Sequence, residues 1–265
     1  MTSDIYEIYA IRYAHHERRA GENFLGGDPH DGPMPLDYFV WAIVGEDRTL
    51  VLDTGFDAAM AKQRGREFLR PQRDGLLAIG VDPARVGDVV ISHMHYDHAG
   101  NRDLFPNATF HLQDREMAFC TGRCMCHPQL RRSFEAEDVS AMVGRLFEGR
   151  VRFHDGAGEI APGITVHHVG GHTNGLQVMR VKTRRGDVVL ASDASHFYAN
   201  FEQMRAYPTV YNVGDMLDGF AAIKRLASSP RHVIPGHDPL VLRRHKPPKP
   251  DLEGIAVRLD IDPEG

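Results

Sequence analysis

Cysteine is scarce: there are three in 265 residues, gathered at positions 120, 124 and 126. A secreted disulfide framework needs cysteines spread along the chain, so none is expected. Long apolar runs are also missing. Tyr38-Phe39-Val40-Trp41-Ala42-Ile43-Val44 falls far short of a membrane span, and Met1-Thr2-Ser3-Asp4 opens no signal peptide. Basic runs are absent, and 36 Asp+Glu against 31 Lys+Arg give a mildly acidic chain without the cationic face that nucleic acid demands. Neither repeats nor low-complexity tracts occur, and no shift of composition divides the chain. These absences predict one cytoplasmic domain over residues 1–265, bound neither to membrane nor to nucleic acid, acting on a small molecule. The 42% hydrophobic content suffices for its core. What stands out in quantity is histidine, with 16 residues, a side chain that titrates near neutrality and ligates metals.

Short apolar runs bounded by turn residues predict strands at 5–12, 38–44, 49–52, 89–92, 163–169, 176–181, 188–191 and 232–234, with a last one at 255–259. Gly45-Glu46-Asp47-Arg48 and Arg184-Arg185-Gly186-Asp187 read as hairpin turns. Helical periodicity appears at 58–69, 114–119, 135–147 and 213–226, the last with Met216, Leu217, Phe220, Ile223 and Leu226 along one stripe. Blocks of strand and helix of this kind predict an α/β protein with sheets covered by helices. Residues 14–36, rich in Gly and Pro, read as a long loop, and the Pro-rich start of 246–265 as a surface tail.

The chemistry concentrates in Val89-Val90-Ile91-Ser92-His93-Met94-His95-Tyr96-Asp97-His98-Ala99-Gly100. An apolar strand runs into three histidines and an aspartate, and alternate side chains of an extended segment point the same way. His93 and His95 can therefore converge on one ion, while Asp97 and His98, past the bend, can face a second. The spacing differs from the helical H-E-x-x-H zinc signature.

The motif H-x-H-x-D-H resembles the hallmark of the metallo-β-lactamase superfamily, and further landmarks follow in order: Asp53-Thr54-Gly55, Gly170-Gly171-His172-Thr173, Leu190-Ala191-Ser192-Asp193 and Ile234-Pro235-Gly236-His237. The resemblance implies an αβ/βα four-layer sandwich of two mixed β-sheets flanked by helices, with metals in a cleft at one edge. It implies one metal on His93, His95 and His172, a second on Asp97, His98 and His237, and Asp193 shared between them. Two Zn2+ per chain suit this thiolate-free set, with manganese, iron or cobalt as alternatives. Asp53 is expected to orient a ligating histidine. A water shared by two such cations loses its proton near neutral pH and attacks a carbonyl polarised by one of them, with Asp97 passing a proton.

Within the superfamily, His95 through Asn101, Asp193-Ala194-Ser195 and Gly236-His237-Asp238 resemble the quorum-quenching N-acyl-homoserine lactonases. This implies opening of a small lactone, and a homodimer. Where those enzymes often carry Tyr three residues after the bridging aspartate, this chain has His196, with Tyr198 two residues on; either could bond the substrate carbonyl. The competing expectations are a glyoxalase-II-like thioesterase and an iron-dependent persulfide dioxygenase. The 14–36 and 117–134 segments are expected to shape the mouth of the site, with Phe24, Leu25, Met34, Met117, Phe119 and Phe134 as candidate lining. Cys120, Cys124, Cys126 and His127 could hold a structural zinc, but the spacing is not that of a recognised finger and free thiols are the commoner explanation.

Overall fold

The run at 38–44 is buried on both faces, which is why it reads as continuous rather than alternating. Phe39, Trp41 and Ile43 enter one core cluster, while Tyr38, Val40 and Ala42 enter another. The computed structural model describes residues 4–263. Met1, Thr2 and Ser3, where no signal peptide was expected to open, lie outside the described residues, as do the last two residues of the tail.

The chain forms β1 (Glu7–His16), β2 (Leu36–Val44), β3 (Thr49–Leu52), β4 (Glu67–Phe68), β5 (Asp88–Val90), β6 (Thr109–Gln113) and β7 (Val151–His154). Then come β8 (Ala157–Ala161), β9 (Ile164–His168), β10 (Gln177–Thr183), β11 (Gly186–Ser192), β12 (Val233–Pro235) and β13 (Ala256–Arg258). One eight-stranded sheet has the order β13-β1-β2-β3-β5-β6-β7 with β4 on the flank of β1, and a five-stranded sheet runs β12-β11-β10-β9-β8. Both are mixed: β2–β3 and β10–β11 are the expected antiparallel hairpins, whereas β3–β5–β6–β7 and β11–β12 pair in parallel.

Facing sides of the two sheets share a core that includes Ile8, Trp41, Val166 and Val178, and helix Val213–Leu226 packs Met216, Phe220 and Ile223 into the same cluster. The opposite side of the first sheet meets Ala61, Leu76, Phe119 and Met142 from its covering helices. The result is the αβ/βα layering that the family resemblance implied.

Two expectations change. The helix expected at 58–69 stops at Arg64, because Gly65 adopts φ 64° and its N–H caps the carbonyls of Ala61 and Lys62; Glu67–Phe68 then pair with β1. Residues 14–36 are only partly loop, since β1 continues to His16 and a helical turn occupies Ala20–Asn23. Strands β6, β7 and β8 were not anticipated; Thr109–Gln113 is short, and Ala157–Ala161 combines Gly and Ala, poor strand formers, at a sheet edge.

Several histidines far from the conserved-type motifs are structural. His154 lies 3.0 Å from His111 in a stacked pair, and His245 is buried beside Arg185 and Arg244. Burial lowers both from 6.5 to about 4, helped by His111 and Arg152 at His154 and by Arg185 and Arg244 at His245. Between these values the unfolded chain binds protons that the folded chain refuses, so stability is expected to fall as pH drops from about 6.5 towards 4. Urea melts across that range check this; a midpoint independent of pH contradicts it.

Candidate metal centre

The cluster forms where parallel strands from both sheets end together. Asp53 follows β3, Ser92 and His93 follow β5, Asp193 follows β11, and Gly236-His237 follow β12. His172 comes from the β9–β10 connection, and Asp97 and His98 lie on the helical turn Tyr96–Ala99. Gly236 is required by close approach: a Cβ there would stand 2.7 Å from the Ser192 backbone and 2.9 Å from Asp193 Oδ1.

Three imidazole nitrogens converge. His93 Nε2 lies 3.0 Å from His95 Nδ1, and His172 Nε2 lies 3.2 Å and 2.9 Å from these two. Asp193 stands between this trio and a second set. Its Oδ2 is 3.2 Å from His172 Nε2, whereas its Oδ1 is 2.9 Å from His237 Nε2 and 3.3 Å from His98 Nε2. Asp97 Oδ2 approaches the same His98 and His237 nitrogens at 3.7 and 3.8 Å. All seven residues proposed from sequence are thus brought together, and each triad has ligand atoms close enough to share an ion.

The far nitrogens are held as well. His98 Nδ1 is 2.7 Å from Asp53 Oδ2, His172 Nδ1 is 2.7 Å from the Thr209 carbonyl, and His237 Nδ1 is 2.9 Å from the Asp37 carbonyl. Facing an acceptor, each of these nitrogens carries the proton, so the Nε2 lone pairs turn towards the cluster. The oxygens of Asp53 also take Ser92 N–H at 2.7 Å and the Ser92 and Ser192 hydroxyls at 2.9 and 3.1 Å. Asp53 and Ser192 sit at φ 60° and 45°, left-handed conformations held in place by this network.

Burial, with adjacent imidazoles adding to it, keeps His93 and His95 well below their ordinary range; burial lowers His172 to about 4 against the pull of Asp193. At the carboxylate end the sign reverses. Burial opposes charge on His98 and His237, yet Asp193 with other carboxylates raises both. Asp193 itself stays ionised far below the usual range despite burial, because His237, His98, His196 and His172 surround it.

The donor set fits metal ions on the structure's own terms. His98 Nε2 and Asp193 Oδ1 are buried without a hydrogen-bond partner and face each other, and the neutral trio crowds lone pairs into one point. A cation satisfies such a convergence of acceptors. Cys120, Cys124, Cys126 and His127 form no comparable group among the described residues; Cys120 is buried and Cys126 exposed.

His196 lines the cleft, with Nε2 2.9 Å from Asp193 Oδ2 and its ring stacked 3.7 Å from Tyr207. The Tyr207 hydroxyl donates to the Asp193 carbonyl. Tyr198 is not brought to the site. It opens helix Tyr198–Gln203, is buried under the Arg244 guanidinium at 3.9 Å and borders a separate hollow, so the expected substrate contact does not form there. Of the candidate lining, Phe119 borders the cleft and Phe134 packs its ring 4.5 Å from His95, but Phe24 is covered by Arg205. Sequence reading passed over Ser92, Ser192, Tyr207 and the carbonyls of Asp37 and Thr209. It also passed over Glu116, fully buried, which accepts from Met94 N, Thr173 Oγ1 and Gly175 N at 2.9, 2.7 and 3.0 Å. A main-chain carbonyl has no residue signature; Glu116 could have been suspected only as an acid in a helix that faces the core.

Fold and site together define an αβ/βα protein with a carboxylate set between two histidine groups. The chain belongs to the metallo-beta-lactamase superfamily, whose profile matches residues 34–237. An N-acyl homoserine lactonase of Bacillus sp is 27% identical over 187 residues, covering 63% of this chain and 68% of the relative. The N-acyl homoserine lactonase AttM of Azorhizobium caulinodans is 28% identical over 171 residues, 61% of this chain and 62% of its own length. Among solved structures, a quorum-quenching N-acyl homoserine lactone lactonase superposes with a TM-score of 0.73 at 21% identity, over 91% of this chain and 95% of that one. The dizinc quorum-quenching lactonase AidC reaches 0.66 at 16% identity, over 88% and 86%. At these identities the superpositions speak for the fold. No helix among the described residues is long and apolar enough to cross a membrane.

Proposed function

We propose that this chain is a dinuclear zinc hydrolase that opens a small lactone ring, with N-acyl-homoserine lactones as the first substrates to test. The observation that supports it is Asp193, whose two oxygens each face a different histidine set, the arrangement a bridging carboxylate needs. His93, His95 and His172 would hold one ion, Asp97, His98 and His237 the other. Bound there, divalent ions would supply Lewis acidity and a water whose pKa falls to about 7. The protein's part is to hold and aim. Asp53, Thr209 and Asp37 fix the tautomers of His98, His172 and His237. His196, neutral because burial lowers it to about 4, positions the inner oxygen of Asp193. Asp97 lines the cleft and is the most solvent-accessible acid of the cluster, with 11% of its side chain exposed, which suits it to carry a proton from the attacking water to the departing alkoxide. Segments 14–36 and 117–134 supply Arg18, Glu22, Leu36, Phe119 and Leu130 to a cleft of about 700 Å³.

Metal analysis followed by a pH-indicator screen over lactones, simple esters and S-lactoylglutathione tests this reading. Zinc near two per chain with turnover confined to lactones is the expected outcome. Iron at one per chain with oxygen uptake overturns it in favour of a dioxygenase, and turnover of the thioester alone in favour of a glyoxalase-II-like enzyme.

A further inference from the structure

The wall of the cleft away from the cluster is cationic. Arg18, Arg64, Arg66 and Arg132 border it, whereas the bordering acids are Glu22 and the two aspartates of the metal cluster. Arg64 is committed: it pairs with Glu135 and lies 4.4 Å over the Tyr96 ring. Arg66 is not. Its Nε donates to the Tyr96 hydroxyl and its Nη1 to His16 Nε2, both at 3.1 Å, and no carboxylate pairs with it among the described residues. Both partners are neutral. Tyr96 offers a phenol oxygen, and burial with Arg66 and Arg18 lowers His16 to about 4.

Arg18 has little more. It donates to the Glu22 carbonyl at 2.7 Å, and the Glu22 carboxylate stands 4.0 Å from its Nε while accepting from Arg19 N at 2.9 Å. Burial lowers Arg18, Glu22 pulls the other way and the Arg66 guanidinium adds to the lowering; Arg18 and Arg66 border the cleft together with His16 and His196. The two guanidiniums therefore belong to one wall that reaches from His16 to the edge of the cluster. Arg18 thus keeps one carboxylate at the limit of an ion pair, while Arg66 has none within pairing distance among the described residues and feels Asp97 only from farther off. A carboxylate brought into the cleft would match the planar guanidinium and supply the close counter-charge that Arg66 lacks.

We propose that Arg18 and Arg66 bind a carboxylate carried by the substrate, so that the ring opened here belongs to an anionic lactone. This rests on the lactonase reading and names its substrate class. An acyl-homoserine lactone with a plain alkyl chain offers these arginines an amide carbonyl but no negative charge, and serves as the neutral comparison.

The test compares two lactones matched in ring and size, one with a side-chain carboxylate and one with the corresponding methyl amide, on the zinc-loaded enzyme. KM is expected to be about tenfold or more lower for the carboxylate. Arg66→Gln raises that KM by a similar factor, leaves kcat and the neutral lactone within about twofold, and Arg66→Lys restores part of the loss. Equal KM values with no response to Arg66→Gln or Arg18→Gln overturn the proposal and leave the lactonase reading standing. If neither lactone is opened, the lactonase reading fails and calorimetric titration with benzenesulfonate, a weak metal ligand, decides the anion site by itself. Binding that weakens about tenfold in Arg66→Gln and fades with added salt supports it; no binding, or binding indifferent to both variants, overturns it.

Discussion

Asp193→Asn is expected to lower lactone hydrolysis on the order of 100- to 1000-fold and to cut bound zinc from two per chain towards one or fewer. The amide keeps the shape of the side chain but replaces one oxygen by an N–H2 donor, and removes the charge. Whichever way it turns, an N–H2 group stands where an oxygen faced the cluster, towards His172 Nε2 at 3.2 Å or towards His237 and His98 Nε2 at 2.9 and 3.3 Å, so one side loses the acceptor a cation would need. Loss of the carboxylate also removes what raises His98 and His237, which favours their neutral forms without giving them a bridge. The fold should survive, because the Asp193 carbonyl keeps its bond from Tyr207. Metal content by mass spectrometry of the folded variant, alongside initial rates, is the check. Two zincs and wild-type rates would remove Asp193 from the centre.

Glu116→Ala is expected to cost roughly 3–6 kcal/mol of stability and to weaken metal binding with it. This buried carboxylate ties two ligand-bearing loops together. Met94 N, which it accepts at 2.9 Å, lies between His93 and His95; Thr173 Oγ1 and Gly175 N, at 2.7 and 3.0 Å, follow His172. Truncation strands three buried donors at once. The seam is so tight that a Cβ on Gly175 would stand 2.0 Å from Glu116 N, against backbone that has no room to move. Urea melts of the chelator-treated and zinc-loaded protein separate the two effects. A loss under about 1 kcal/mol would mean that water replaces the carboxylate and the loops are not joined through it.

The seven side chains that meet at the strand ends were legible in the sequence, because few residue types offer lone pairs and the order of the motifs limits the choice. The strands that lead into them were legible as short apolar runs, at 89–92, 188–191 and 232–234. What orients the ligands was mostly not: the carbonyls of Asp37 and Thr209 belong to the backbone, and their role depends on the chain passing His237 and His172 at the right distance. Tyr198 went astray for a related reason. Two residues beyond His196 the chain has entered a helix, and that change of direction turns the ring into the core beneath Arg244 instead of the cleft. Glu116 was hidden among the ordinary acids of a short helix, since burial of a charge is a property of the assembled layers.

Strand β13 lies beside β1 at the edge of the larger sheet, joining residues 256–258 to 9–11. During synthesis β1 therefore waits for residues 256–258 before its outer edge is covered, and His237 reaches Asp97 and His98 nearly as late. A ribosome-bound chain carries the H-x-H-x-D-H segment through much of its translation without His237, so the group formed by Asp97, His98 and His237 cannot assemble until β12 has been made.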